Sequence, residues 1–351
     1  MRKLALYLLP ALLGLAACQR KMAANPQAAA TLVATVQDTF ARLLSNGPDP
    51  WVYQKDGTYY YLSTTGGDVS IRKTSKMSEL ATAKPAVLWR PSAPANARDL
   101  WAPELHFLDG HWYIYVTAGP GSCCAGQRLW VLENTGPDPT QGTWLEKGRI
   151  FNPQADFWAI DATVFEQGGQ RYLVWSGHRD DKDNTQRIYI SEMSNPWTLV
   201  GPRVELSSPQ HDWEKHGPVE VNEGPEILQH GGNTFLIYSA SHCSTDDYAL
   251  GQLRLPGTAN PLDASQWVKS PTPVFTKNPA SKAYGPGHGG FFKSKDGTED
   301  WMIYHANTEP GQGCGDARNP RMQKFTWNAD GSPHFGVPAP IDVPIRRPAG
   351  E

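Results

Sequence analysis

Positive charge is not in excess in this 351-residue chain, where 32 Lys and Arg stand against 35 Asp and Glu for a formal net charge of −3. Without a basic face there is no electrostatic footprint for a phosphate backbone, so nucleic acid is not expected as a partner. Signatures of several other chemistries are missing as well. No Gly-x-Ser-x-Gly elbow and no His-Glu-x-x-His pattern occur, which removes the common serine-hydrolase and zinc-protease layouts. The glycine-rich run from Gly285 to Gly290 is followed by neither Lys-Ser/Thr nor a helical pattern, so it is not a phosphate loop. Cysteine is scarce, and Cys123, Cys124, Cys243 and Cys314 lack the spaced pairs of a zinc site. Beyond residue 45 helical periodicity is nearly absent.

Aromatic and turn-forming residues take its place. With 13 Trp, 13 Tyr, 11 Phe, 33 Gly and 30 Pro, the composition is that of an all-β chain. One layout recurs five times: a polar or carboxylate residue, a short strand, a polar turn, and a strand heavy in Tyr, Trp and Ile. Asp49 leads to Tyr59-Tyr60-Tyr61-Leu62, Trp101 to Trp112-Tyr113-Ile114-Tyr115, and Asp161 to Tyr172-Leu173-Val174-Trp175. Glu223 leads to Phe235-Leu236-Ile237-Tyr238, and His288 to Trp301-Met302-Ile303-Tyr304. Steps of roughly 50 to 65 residues fit four-stranded blades with long loops, so the expected fold is a five-bladed β-propeller. In such a ring the first strand of each blade lines a central channel. Asp49, Trp101, Asp161, Glu223 and His288 are therefore expected to converge on one axis.

The amino terminus reads differently. Arg2 and Lys3 precede an apolar run, Leu4 to Leu13, that has the length of a signal-peptide core and is too short to span a bilayer. It ends in Leu15-Ala16-Ala17-Cys18, which resembles the bacterial lipobox and implies cleavage before Cys18 and lipidation of that thiol. The alternative is an ordinary secreted protein. The expected organisation is a signal peptide over 1–18, a tether and short helix over 19–45, and the propeller over 46–345. The helix is placed at Thr31 to Leu44, where Leu32, Val33, Val36, Phe40, Leu43 and Leu44 recur near helical period. The expected location is the periplasm or outer membrane, with the lipid as the only membrane contact. Export also puts the four remaining cysteines in an oxidising compartment, where three pairings are open.

Each candidate residue has a bland alternative. Asp-Pro at Asp49 is a common turn starter, and an Asp inside the apolar run around Asp161 could be one half of a structural ion pair. Glu104 and Glu226 lie further along their strands than Glu223 and read as supporting groups. His288 is as easily a satisfied core histidine as a metal ligand, and Trp101 as easily core filler as a wall for a sugar. What favours function is that three acids occupy equivalent places in the repeat.

The ordered set Asp49, Asp161 and Glu223, with Trp101-Ala102-Pro103-Glu104, Glu223-Gly224-Pro225-Glu226 and Gly285-Pro286-Gly287-His288, resembles glycoside hydrolase family 43. The resemblance runs from about Gly47 to Pro338, and the segment from Cys314 to Gly331 is most similar to the α-L-arabinofuranosidase branch. It implies an inverting glycosidase acting on plant cell-wall polysaccharide or oligosaccharide, with no cofactor required. Asp49 would be the general base, Glu223 the general acid, and Asp161 the residue that orients the acid and raises its pKa. Trp101 would wall the sugar pocket. Arg318, with Arg321 in reserve, would hold sugar and carboxylates. His288 matches a position near the channel centre that can bind calcium directly or through water, and such an ion would be structural.

Within the same family β-xylosidase and endo-arabinanase activities stay open, because loops choose the substrate. A retaining fructosidase is disfavoured by the missing Asn-Asp-Pro-Asn-Gly and Glu-Cys signatures. A carbohydrate-binding propeller without activity would keep the aromatics but has no need of the three acids.

Overall fold

The computed structural model describes residues 38–121 and 124–351. The signal peptide, Cys18, the tether and the first half of the expected helix lie outside those residues. Where the helix was expected to continue, the chain instead forms a short strand, β1 (Thr39–Phe40), followed by bends. Phe40 and Leu43 are buried against Val52, Tyr59 and Phe292. Their spacing marks core contacts of an extended strap rather than a helical stripe. Among the described residues the helical elements are short 3-10 turns.

Five sheets of four strands follow. The first holds β2 (Trp51–Lys55), β3 (Thr58–Leu62), β4 (Val69–Thr74) and β5 (Pro85–Trp89). The second holds β6 (Arg98–Leu108), β7 (His111–Gly119), β8 (Arg128–Asn134) and β9 (Leu145–Ile150). The third runs β10 (Ala159–Gln167), β11 (Gln170–Gly177), β12 (Arg187–Asn195) and β13 (Thr198–Ser207). The fourth runs β14 (Asn222–His230), β15 (Asn233–Ala240), β16 (Ala249–Pro256) and β17 (Val268–Lys269). The last runs β18 (Tyr284–Lys293), β19 (Asp300–Asn307), β20 (Asn319–Trp327) and β21 (Pro333–His334). A final strand, β22 (Ile345–Arg346), pairs with β1 and ties the end of the chain to residue 39. Each blade is a simple antiparallel meander. The first strands β2, β6, β10, β14 and β18 pack on one another in turn, and β18 packs on β2, closing the five-bladed ring.

Side-chain alternation explains the aromatic runs. On β3, Tyr60 and Leu62 face the second blade, whereas Tyr59 and Tyr61 face the fifth. On β15, Leu236 and Tyr238 face the third blade, and Phe235 and Ile237 the fifth. A strand with a neighbouring blade on both sides has no solvent face, so it reads as a continuous apolar run. Each fully buried ring removes about 150–250 Å² from water, or about 4–6 kcal/mol before entropy is subtracted. These interfaces hold the first strands in fixed places around the axis.

Candidate active site

At or near the start of each first strand stands a residue in the left-handed region, Asp49 (φ 53°), Ala102 (φ 43°), Asp161 (φ 57°), Gly224 (φ 52°) or His288 (φ 39°), and β6 and β18 carry a second one three residues earlier, Asp99 (φ 56°) and Gly285 (φ 54°). In blades two to five a register shift in the pairing between first and second strands accompanies it. A bulge of this kind bends the strand and re-aims side chains, and non-glycine residues are held there only at a cost. Ala102, Asp161, Gly224 and His288 are therefore equivalent. Trp101, Ile160, Glu223 and Gly287 form a second ring one residue earlier. The expected alignment holds for Asp49, Asp161 and His288, while Trp101 and Glu223 sit one place before it. At Gly224 a Cβ would stand 3.0 Å from the His288 ring, so a side chain there would require that ring to shift.

The three acids do meet. One oxygen each of Asp161 and Glu223 and one nitrogen of His288 lie within 4.8 Å of one another. His288 Nδ1 is 3.4 Å from Asp49 Oδ1 and 3.9 Å from Asp161 Oδ2. Their environments differ sharply. Asp49 is buried, yet Arg318 donates to Oδ1 at 2.8 Å and the Thr64 hydroxyl to Oδ2 at 2.6 Å. Burial alone would raise this carboxyl, but the charge of the Arg318 guanidinium, first among the opposing influences, holds it well below the ordinary range. Asp49 is thus an ionised acceptor.

Glu223 is pushed up to about 7, first by burial and further by the charge of Asp49, against the opposing hydrogen bond from Tyr248. The Tyr248 hydroxyl donates to Oε1 at 2.9 Å. Burial, Glu223 and Asp49 raise Asp161 as well. Two carboxyls this close titrate as a pair and share a proton. Geometry favours Glu223 as its carrier, because Asp161 Oδ2 accepts the Gly224 N–H at 3.0 Å, an interaction that stabilises the ionised form.

His305 is neutral. Its Nδ1 receives the Asp49 N–H at 3.1 Å, and burial lowers its pKa to about 4. The same nitrogen is 3.3 Å from Asp49 Oδ1. It cannot donate there while accepting the amide, so no ion pair forms.

Deeper in the channel, two residues past the left-handed positions, Glu226 is buried and hydrogen-bonded to Glu104, which pushes its carboxyl well up. Glu104 Oε2 in turn lies 2.9 Å from His106 Nε2. Glu226 and His106 also line a cavity with Trp51, Thr163 and Phe291.

The two arginines separate. Arg318 touches Asp49, whereas the guanidinium of Arg321 is spent on Asn319 Oδ1 and on the carbonyls of Ser281, Lys282, Asn307 and Ala339. Arg321 is a buried strut and does not reach the carboxylates. The loop carrying Arg318 is pinned by a disulfide between Cys243, after β15, and Cys314, after β19. Cys124 is disulfide-bonded too. Thr64, Tyr248 and His305 are site residues that sequence reasoning did not select. Only the position of His305 near His288 gave any signal.

Calcium takes six to eight oxygen ligands. Two carboxylate oxygens and one imidazole nitrogen fall well short, and both Asp161 Oδ2 and Glu223 Oε1 already accept hydrogen bonds. This donor set does not fit a directly held calcium.

An ionised carboxylate held by Arg318 and, in the same cluster, a carboxyl raised to about 7 are the pairing that glycosidase acid–base chemistry calls for. Residues 43–333 match the family described as glycosyl hydrolases family 43, and the chain belongs to that family. It is a glycoside hydrolase. It is 39% identical over 357 residues to an extracellular exo-α-(1→5)-L-arabinofuranosidase of Streptomyces avermitilis, covering 99% of this chain and 73% of the relative. A Streptomyces chartreusis protein of the same description is 42% identical over 269 residues, covering 75% of this chain and 81% of the relative. The crystal structure of an α-L-arabinofuranosidase from Lactobacillus brevis superposes with a TM-score of 0.81 at 38% identity, over 88% of this chain and 99% of that one.

Proposed function

We propose that this enzyme releases terminal L-arabinofuranosyl residues from arabinan or arabino-oligosaccharides with inversion at the anomeric carbon. The observation that carries the reading is the opposed state of the two acids. Asp49 is held ionised and Glu223 is raised to about 7. Asp49 takes a proton from water as the water attacks, and Glu223 gives a proton to the departing oxygen. Asp161, fixed by the Gly224 N–H and within 4.8 Å of Glu223, orients the acid and keeps it protonated by like charge. Trp101 stands in the same ring as Glu223 and walls the sugar, while Arg318 holds Asp49 and is placed to meet a sugar hydroxyl. Names of the relatives support arabinose over xylose.

The test is the stereochemistry of the first product. With a nitrophenyl α-L-arabinofuranoside, NMR should show the β anomer before mutarotation, and linear arabinan should yield free arabinose. A retained α anomer would remove Asp49 as base. Faster turnover of the matching xyloside would move the substrate assignment to xylose.

Export by cleavage before Cys18, with a lipid on that thiol, belongs to the same proposal. The extracellular description of the Streptomyces relatives supports export. Cys18→Ala should shift the protein from the membrane pellet to the soluble fraction of a bacterial host. An unchanged distribution would rule the anchor out.

A further inference from the structure

The left-handed residues at the channel share a second feature. In three blades the N–H of that residue is received by a hydroxyl of the preceding blade. Ala102 donates to Thr64 Oγ1 at 2.8 Å, Asp161 to Thr117 Oγ1 at 3.1 Å, and His288 to Ser239 Oγ at 2.9 Å. Asp49 donates instead to His305, and Gly224 to Asp161. Each joint latches one blade to its neighbour. It also polarises the acceptor, because a hydroxyl receiving an amide proton must aim its own proton elsewhere.

At Thr64 that direction ends on the base. Its hydroxyl donates to Asp49 Oδ2 at 2.6 Å, while Arg318 takes Oδ1 at 2.8 Å. The backbone of Thr64 is itself tied down by its N–H to the Pro48 carbonyl at 2.9 Å. One donor on each oxygen fixes the plane of the carboxylate and leaves lone pairs on both for the attacking water. We propose that Thr64 is a positioning residue for Asp49, its hydroxyl locked into the donor orientation by the Ala102 amide of the next blade. A water in its place would be free to turn either a proton or a lone pair towards Asp49. The latched threonine can present only the proton. Thr64 thus supports the ionised, acceptor state that a base needs, alongside the Arg318 guanidinium; His288, His305, Asp161, Glu223 and Tyr248 are the other titratable groups around Asp49.

This inference rests on Asp49 being the base, and the test separates the two. The profile of kcat/KM against pH for aryl arabinofuranoside hydrolysis reports the free enzyme's essential base on its acid limb. Thr64→Val keeps the shape and loses the donor. It should move the acid limb upward by about 1–2 pH units and lower kcat by about 10- to 100-fold, the effect of losing one hydrogen bond to a charged group. KM should change little. Thr64→Ser keeps the hydroxyl and should restore both the limb and the rate, which a merely structural threonine would not require. Thr64→Ala, read by the same two measurements, covers a Val variant that fails to fold. If the acid limb and kcat stay at wild-type values in Thr64→Val or Thr64→Ala while Asp49→Asn is inactive, Thr64 has no such role. If Asp49→Asn is itself active, the assignment of the base fails.

Discussion

Asp49→Asn is expected to lower kcat by about 10²- to 10⁴-fold, the usual worth of a positioned general base. The amide occupies the same space at the mouth of the first blade but cannot take a proton from water. The substitution also carries a stability effect whose sign follows from the environment of Asp49. Its carboxyl is held well below the ordinary range in the folded protein. Its ionised form therefore stabilises the fold above the unfolded carboxylate pKa, and that contribution is lost as pH falls through the folded value. Asn removes the contribution altogether, leaving Arg318 without its anion. The melting temperature at neutral pH should drop. Turnover is accordingly compared well below the melting transition, with circular dichroism confirming a folded variant. A folded Asp49→Asn protein with kcat within tenfold of wild type would show that another group activates the water.

The blades were legible in the sequence because their signal is physical and repeated. A strand buried by neighbours on both faces must be apolar at every position, and five such strands at long, similar intervals have few architectures open to them. Position within a blade was harder to read. The bulge adds a residue to the first strand without leaving a composition mark, so Glu223 and Trp101 line up by eye with Asp161 but stand one place earlier in space. Arg318 and Arg321 were likewise inseparable from spacing. The fold decides between them, since Arg321 lies on β20 among carbonyls and Arg318 on the disulfide-pinned loop above Asp49. Over its described half the expected helix is replaced by a strand and bends for a related reason. Phe40 and Leu43 are core residues, but a strap along two blades can bury residues three apart as readily as a helix can. Thr64 and Tyr248 left no trace because a hydroxyl in a polar loop gains meaning only from what the ring sets opposite it.

Glu223→Gln should divide substrates by their leaving groups. The amide can still accept the Tyr248 hydroxyl at the Oε1 position, so the pocket keeps its shape and loses only the transferable proton. With arabino-oligosaccharides the departing oxygen is a strongly basic sugar alkoxide, and kcat should fall by about 10²- to 10⁴-fold. With a dinitrophenyl arabinofuranoside the phenolate leaves without help, and most of that loss should vanish. The pH profile supplies an independent reading. Glu223 must be protonated to act, and its carboxyl is raised to about 7, so wild-type activity on oligosaccharides should fall as pH rises through that value. Tyr248 opposes the rise by favouring the ionised form, and its placement on Oε1 leaves Oε2 as the oxygen that carries the proton to the substrate. In Glu223→Gln, the residual activity on arabino-oligosaccharides should no longer show the alkaline limb. If the limb persists unchanged in the variant, the titrating proton belongs to Asp161, the other member of the pair, and the roles of acid and orienting residue must be exchanged.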